Sequence, residues 1–236
     1  MSPLSSLQPR PTLLRHNEMR TMFHGLGHCI HHLVAETKYD LRFSRDFVEI
    51  PSLLLEHWVW VWVPQVLKKL GRHYLDGTEI SDKMIDGLIK IKTLNDAHAM
   101  LAQVHLAMFD LAIHSPESHE AAKGMHLTRL WTKIKKDIVG LSLGDKADEG
   151  HGQASFPHIF MAYDARYFAH PTSKIYASDI YSTFFAEDPM SPEAGRRYWW
   201  TALELGASIP EWDLLKAYMG RDLNGDAFYS ELSASD

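Results

Sequence analysis

The chain has 236 residues, 45% apolar and 23% charged, a globular mix with enough apolar side chains to bury a core. Thirty acidic against 24 basic side chains leave a net charge of −6, which argues against nucleic acid or an anionic membrane as the main partner. A single cysteine, Cys29, excludes an internal disulfide framework, while fifteen histidines raise the question of where those imidazoles gather.

In chain order, residues 1–12 carry Pro3, Pro9 and Pro11 among serines and read as a flexible N-terminal segment with no export signal. Asn17 can cap a helix running to about His32, with Met22, Leu26 and Ile30 spaced as a buried stripe. A polar bend over Lys38–Ser44 follows. Pro51 suits the first turn of a second helix that ends before Pro64. The alternation Trp58-Val59-Trp60-Val61-Trp62 has the period of a strand. A buried helix is preferred there, because Leu53-Leu54-Leu55 does not alternate. Further helices are predicted over Asp82–Thr93, Asp96–His114, His126–Val139, around Tyr163–Tyr167, and over Pro192–Leu205 and Glu211–Met219, with a glycine-rich polar loop at Gly144–Gly152. The most apolar stretch, Leu53–Val63, falls far short of the roughly 20 residues of a membrane span. The expectation is a mainly α protein, one helical domain over 13–236, in the cytoplasm and without a membrane partner.

The informative string is His24-Gly25-Leu26-Gly27-His28. Histidines at i and i+4 stand about 40° apart on a helix and can reach one metal ion. Zincins use this spacing as H-E-x-x-H, where the glutamate is the general base that activates metal-bound water. Gly25 occupies that place here. The pair alone is weak evidence, and two histidines that happen to share a face is the commoner reading of it.

The surrounding residues narrow this. Phe23 to His31, then Arg45-Asp46-Phe47-Val48-Glu49-Ile50-Pro51-Ser52 and Leu55-Glu56-His57-Trp58, resemble the thimet-oligopeptidase family of zinc metallopeptidases. That family carries a phrase close to F-H-E-F-G-H-x-x-H, then R-D-F-V-E-x-P-S and L-E-x-W. The likeness continues through Gln103-Val104-His105 to Phe109-Asp110, His151 to His158, Tyr163-Asp164-Ala165-Arg166-Tyr167, Asp188 to Pro192, Gly195 to Tyr198 and Gly220 to Tyr229. It implies a zincin-like helical domain corresponding to the catalytic half of such enzymes. It also implies one zinc ion, held by His24, His28 and Glu49. Glu56 or Asp46 would orient a ligand imidazole, or Glu56 would be an ordinary buried polar anchor. His31 is expected to pack or hydrogen-bond rather than to ligate. His158, Tyr163 and Tyr167 match the family's donors to a developing oxyanion. Read without the family, the two tyrosines are also a packed aromatic stripe, four apart on a predicted helix.

The departures carry as much meaning. Gly25 removes the hydrolytic base. The stretch Tyr39–Ser44 is shorter than the family's loop. Met161-Ala162 replaces a pair of glycines, and His170-Pro171 stands where the family has a tyrosine and continues a helix. The chain also matches only the C-terminal part of full family members. These features lead to the expectation of zinc acting as a Lewis acid on a carbonyl or enol oxygen of a small-molecule substrate, with His158, Tyr163, Tyr167 and His170 hydrogen-bonding or moving protons. The reaction class would be isomerisation, elimination or cyclisation, in a setting such as secondary metabolism. The alternatives are a non-catalytic binding protein of the same fold and a residual zinc-dependent hydrolase. Seven tryptophans and ten phenylalanines lead to the expectation of an exposed apolar patch and a homodimer.

Overall fold

A computed structural model describes residues 12–39, 43–60, 64–93, 96–140 and 150–233. The expected N-terminal segment, except Thr12, lies outside the described residues, as do 40–42 of the polar bend, 61–63 of the tryptophan-rich stretch and 141–149 of the glycine-rich loop. Helix α1 spans His16–Val34. It is capped at Arg15 rather than Asn17, because the Arg15 amide donates to Glu18 Oε2 at 2.8 Å and closes the first turn. Helix α2 (Ile50–Glu56) carries Pro51 in its first turn, as expected, but ends earlier, and His57–Trp60 continue as turns whose amides donate to Leu54 O, Leu55 O and Glu56 O. Neither the strand nor the longer helix therefore describes Trp58–Trp60.

Then come α3 (Pro64–Leu70), α4 (Asp82–Thr93), α5 (Asp96–His114), α6 (His119–Lys123) and α7 (Leu127–Val139). Two short 3-10 turns over Gly152–Ser155 and Pro157–Phe160 lead to α8 (Ala169–Phe184). Helix α9 (Pro192–Tyr198) widens into a π-helical turn over Trp199–Leu203, and α10 (Glu211–Met219) and α11 (Asp226–Ser233) close the chain. Among the described residues no strand forms, and no helix is long and apolar enough to cross a membrane.

The core joins α2, α8 and α10 through Ile50, Leu54, Ile180, Leu214, Leu215 and Tyr218. A second cluster sets Phe109 of α5 against Phe156 and Tyr167, with Trp131 of α7 alongside. Helix α1 lies on α2 at very close range. A β-carbon at Gly27 would stand 2.5 Å from Pro51 O, so only glycine permits this approach. Consequently the inward face of α1 is Gly27 and His31, with His24 and His28 half-buried. The stripe expected to be buried instead faces outward, with Met22 46%, Leu26 42% and Ile30 41% exposed.

Tyr163–Tyr167 is the other correction. It forms successive turns rather than a helix, because Ala162 and Ala165 adopt left-handed φ of 65° and 60°. Buried Asp110 of α5 holds the turns, accepting from the amides of Ala165 and Tyr167 at 3.0 Å each. Pro171 does not stop a helix. It sits in the first turn of α8, where no intrahelical partner for its nitrogen is needed.

Candidate metal centre

Helix α1 presents His24 and His28 one turn apart, and Glu49, capping α2, faces them across the Gly27 contact. His24 Nε2 and His28 Nε2 lie 3.3 and 3.2 Å from Glu49 Oε2. One ligand atom from each of the three residues lies within 4.8 Å of the others. Tetrahedral zinc with bonds of about 2.0–2.1 Å sets its ligand atoms about 3.3–3.4 Å apart. The two imidazole-to-carboxylate separations therefore suit that ion, and two imidazoles with one carboxylate leave a coordination position open.

The electrostatics point the same way. Glu49 is 2% exposed. Burial opposes its charge, yet hydrogen bonds from His24, His28 and Tyr163 hold its carboxyl far below the usual range. Burial likewise opposes a charged His24, but the carboxylates of Glu49 and Glu56 outweigh it and raise that imidazole to about 9. The pocket is thus built to hold a positive charge. Ser52, on the first turn of α2, keeps its hydroxyl 3.0 Å from Glu49 Oε2 and fixes the carboxylate's orientation.

Of the two residues expected to orient an imidazole, Glu56 does so, accepting from His24 Nδ1 at 2.9 Å. No such bond joins His24 to Asp46 among the described residues. His31 is buried and packs on Phe43 with ring centroids 4.4 Å apart, the packing role expected of it. Gly25 faces open space: a β-carbon there meets no neighbouring atom within 4 Å.

The remaining candidates form one aromatic group beside the triad. Tyr163 donates its hydroxyl to Glu49 Oε1, which ties the group to the candidate ligands. His170 stacks on Tyr163 at 4.9 Å between centroids and lies 4.8 Å from Tyr167 and 5.7 Å from His158. Burial and hydrogen bonding to Glu49 raise the Tyr163 phenol, and burial pushes Tyr167 up to about 12, so both remain donors at neutral pH. The Tyr167 ring packs on Phe156, and its hydroxyl donates to Gln103 at 2.8 Å. Burial depresses His170, aided by neighbouring imidazoles and opposed by Glu49, so it is a neutral base at pH 7. His158 Nδ1 and His170 Nε2 are buried without a hydrogen-bond partner among the described residues.

Arg20, Arg45, Gln103 and Asp110 also serve the site and were not singled out from sequence. The Arg45 guanidinium lies 5.1 Å from the Tyr163 ring centroid, and Arg20 donates to Glu56. Arg45, Gln103 and Asp110 lie in the family-like stretches, which gave them no role of their own, and Arg20 stands four residues before His24 on the same helical face.

Residues 4–234 match the profile of Peptidase family M3. Among curated proteins the chain is 36% identical to saccharolysin of Saccharomyces cerevisiae, over 96% of this chain and 32% of that protein. It is 32% identical to oligopeptidase PhomG of Diaporthe leptostromiformis, over 90% of this chain and 34% of that protein. It is 29% identical to oligopeptidase A of Haemophilus influenzae, over 92% of this chain and 32% of that protein. The chain spans about a third of the length of these relatives.

Proposed function

The chain belongs to peptidase family M3, and on that premise we propose that it is a cytoplasmic zinc protein that processes a small molecule instead of cleaving peptides. One observation carries the reading. The position between the two histidines, where a zincin holds its general base, is a glycine facing open space. His24, His28 and Glu49 would hold one zinc ion, which when bound supplies a Lewis acid for a carbonyl or enol oxygen. The space beside Gly25 admits the substrate next to the ligands. Tyr163 remains protonated, and its one O–H, donated to Glu49 in this structure, turns to an oxygen that gains negative charge when substrate binds. His170, neutral and with Nε2 free of any hydrogen bond among the described residues, can take a proton from the substrate and return it elsewhere. Such a set supports isomerisation, elimination or ring closure, none of which needs an attacking water.

Metal analysis of protein purified without added zinc should find one equivalent, lost in His24→Ala. The zinc-loaded protein should leave a fluorogenic peptide intact, whereas Gly25→Glu should cleave it about a hundredfold above background, the scale of a restored general base. Chelator-sensitive cleavage by the unmodified chain would overturn the non-hydrolytic reading in favour of a residual peptidase. Absence of stoichiometric metal would favour a binding protein.

A further inference from the structure

We propose that Arg20 is a positioning residue for the metal centre, acting through Glu56 to fix which nitrogen of His24 is presented to the ion. The inference rests on the zinc reading above. Arg20 stands one turn before His24 on α1, and its Nε donates to Glu56 Oε2 at 2.6 Å. The other oxygen of that carboxylate, Oε1, accepts from His24 Nδ1 at 2.9 Å. Each oxygen of Glu56 is thereby assigned to a different donor. An ionised carboxylate only accepts, so Nδ1 must carry a proton, and Nε2 is the nitrogen left to face Glu49 and the ion.

The guanidinium matters because Glu56 is buried while Arg20 reaches the surface, with side-chain exposures of 11% and 46%. Without Arg20, Oε2 of this buried carboxylate loses its charged donor, and the group is free to rotate away from His24, leaving the imidazole ring without a fixed orientation. Arg20 and Glu56 also line a pocket shared with His57, Lys92 and Glu231.

The test is competitive zinc titration of the full chain against a chelating dye, with the metal-free thermal midpoint measured for every variant. Glu56→Gln should weaken zinc binding roughly tenfold to a hundredfold, and Arg20→Met roughly threefold to tenfold. Arg20→Met combined with Glu56→Gln should be no weaker than Glu56→Gln alone, because the arginine acts only through the carboxylate. Arg20→Lys should recover part of the loss by restoring the charge without the planar fork. The visible spectrum of the cobalt-loaded protein should shift in Arg20→Met, a signature that loosening of α1 elsewhere would not produce. Wild-type zinc affinity in Arg20→Met, or losses that simply add, overturns the proposal while leaving the zinc site standing. If Arg20→Met does not fold, Arg20→Gln decides by the same criteria. If the unmodified chain binds no zinc, the site reading itself fails, and this inference with it.

Discussion

Gly25 and Gly27 lie two residues apart on α1 and face different surroundings, open space at one and the backbone of Pro51 and Ser52 at the other. Gly25→Ala should therefore stabilise the protein by about 0.5–1 kcal/mol through backbone entropy alone. Gly27→Ala should destabilise it by about 1–3 kcal/mol, since α1 must lift from α2 to admit the methyl. Urea unfolding of the two variants should show the opposite signs. A second prediction concerns buried imidazoles. Burial depresses His57 and His105 below their ordinary values, against Glu231 and the Leu53 and Leu54 carbonyls for His57 and the Trp131 carbonyl for His105. The unfolded chain then binds more protons than the folded one just below pH 6.5. The stabilisation is thus complete above that pH and is lost as the pH falls toward the depressed values. Between pH 5.5 and 7.5 the unfolding free energy of the metal-free protein should rise more than that of His57→Gln, the opposing loss from His24, raised to about 9, being common to both. At this scale the candidate ligands His24, His28 and Glu49 were legible because their spacing and phrases are local. Arg45 and Gln103 were not, since nothing in their neighbourhoods indicates that Tyr163 and Tyr167 come to rest on them.

The element that most affects the site is the run of turns between Pro157 and α8. An i, i+4 pair of tyrosines reads as helical, yet Asp110, about fifty residues away in sequence, takes two of the segment's amides and makes the turns the lower-energy arrangement. Asp110→Ala should cost about 2–5 kcal/mol by leaving those amides without an acceptor, and it should release Tyr163 from Glu49. Fluorescence-detected unfolding together with zinc affinity checks both effects. Helix α8 was missed for a related reason. Its buried positions include Ser173, Ser178 and Asp179, which do not register as apolar periodicity. Asp179 is tolerated because Arg221 Nη1 and Nη2 donate to it at 2.8 and 2.6 Å and the Asn224 amide donates at 2.9 Å. Helices α4, α5 and α10 appeared at their expected bounds because each starts with an acidic first turn and, for α10, ends at a left-handed glycine, Gly220.

Across the whole molecule, the outward stripe of α1 meets the π-helical turn, where Trp199 and Trp200 are also exposed, so Ile30 and Trp199 line one apolar groove. The homodimer expected from aromatic content would bury this face. Light scattering should then report the mass of two chains, falling to one in Leu26→Glu, and a single-chain mass at all concentrations would reject it. By itself the sequence determined the family and the helical class and named three candidate ligand positions, because each depends on residue type and short spacing along one helix or phrase. The tertiary structure decided which face of α1 turns inward, through the glycine contact with α2. It also decided which carboxylate orients His24, and how Asp110 bends the tyrosine segment over the ligands. Those outcomes depend on groups distant in sequence competing for the same hydrogen bonds and the same space.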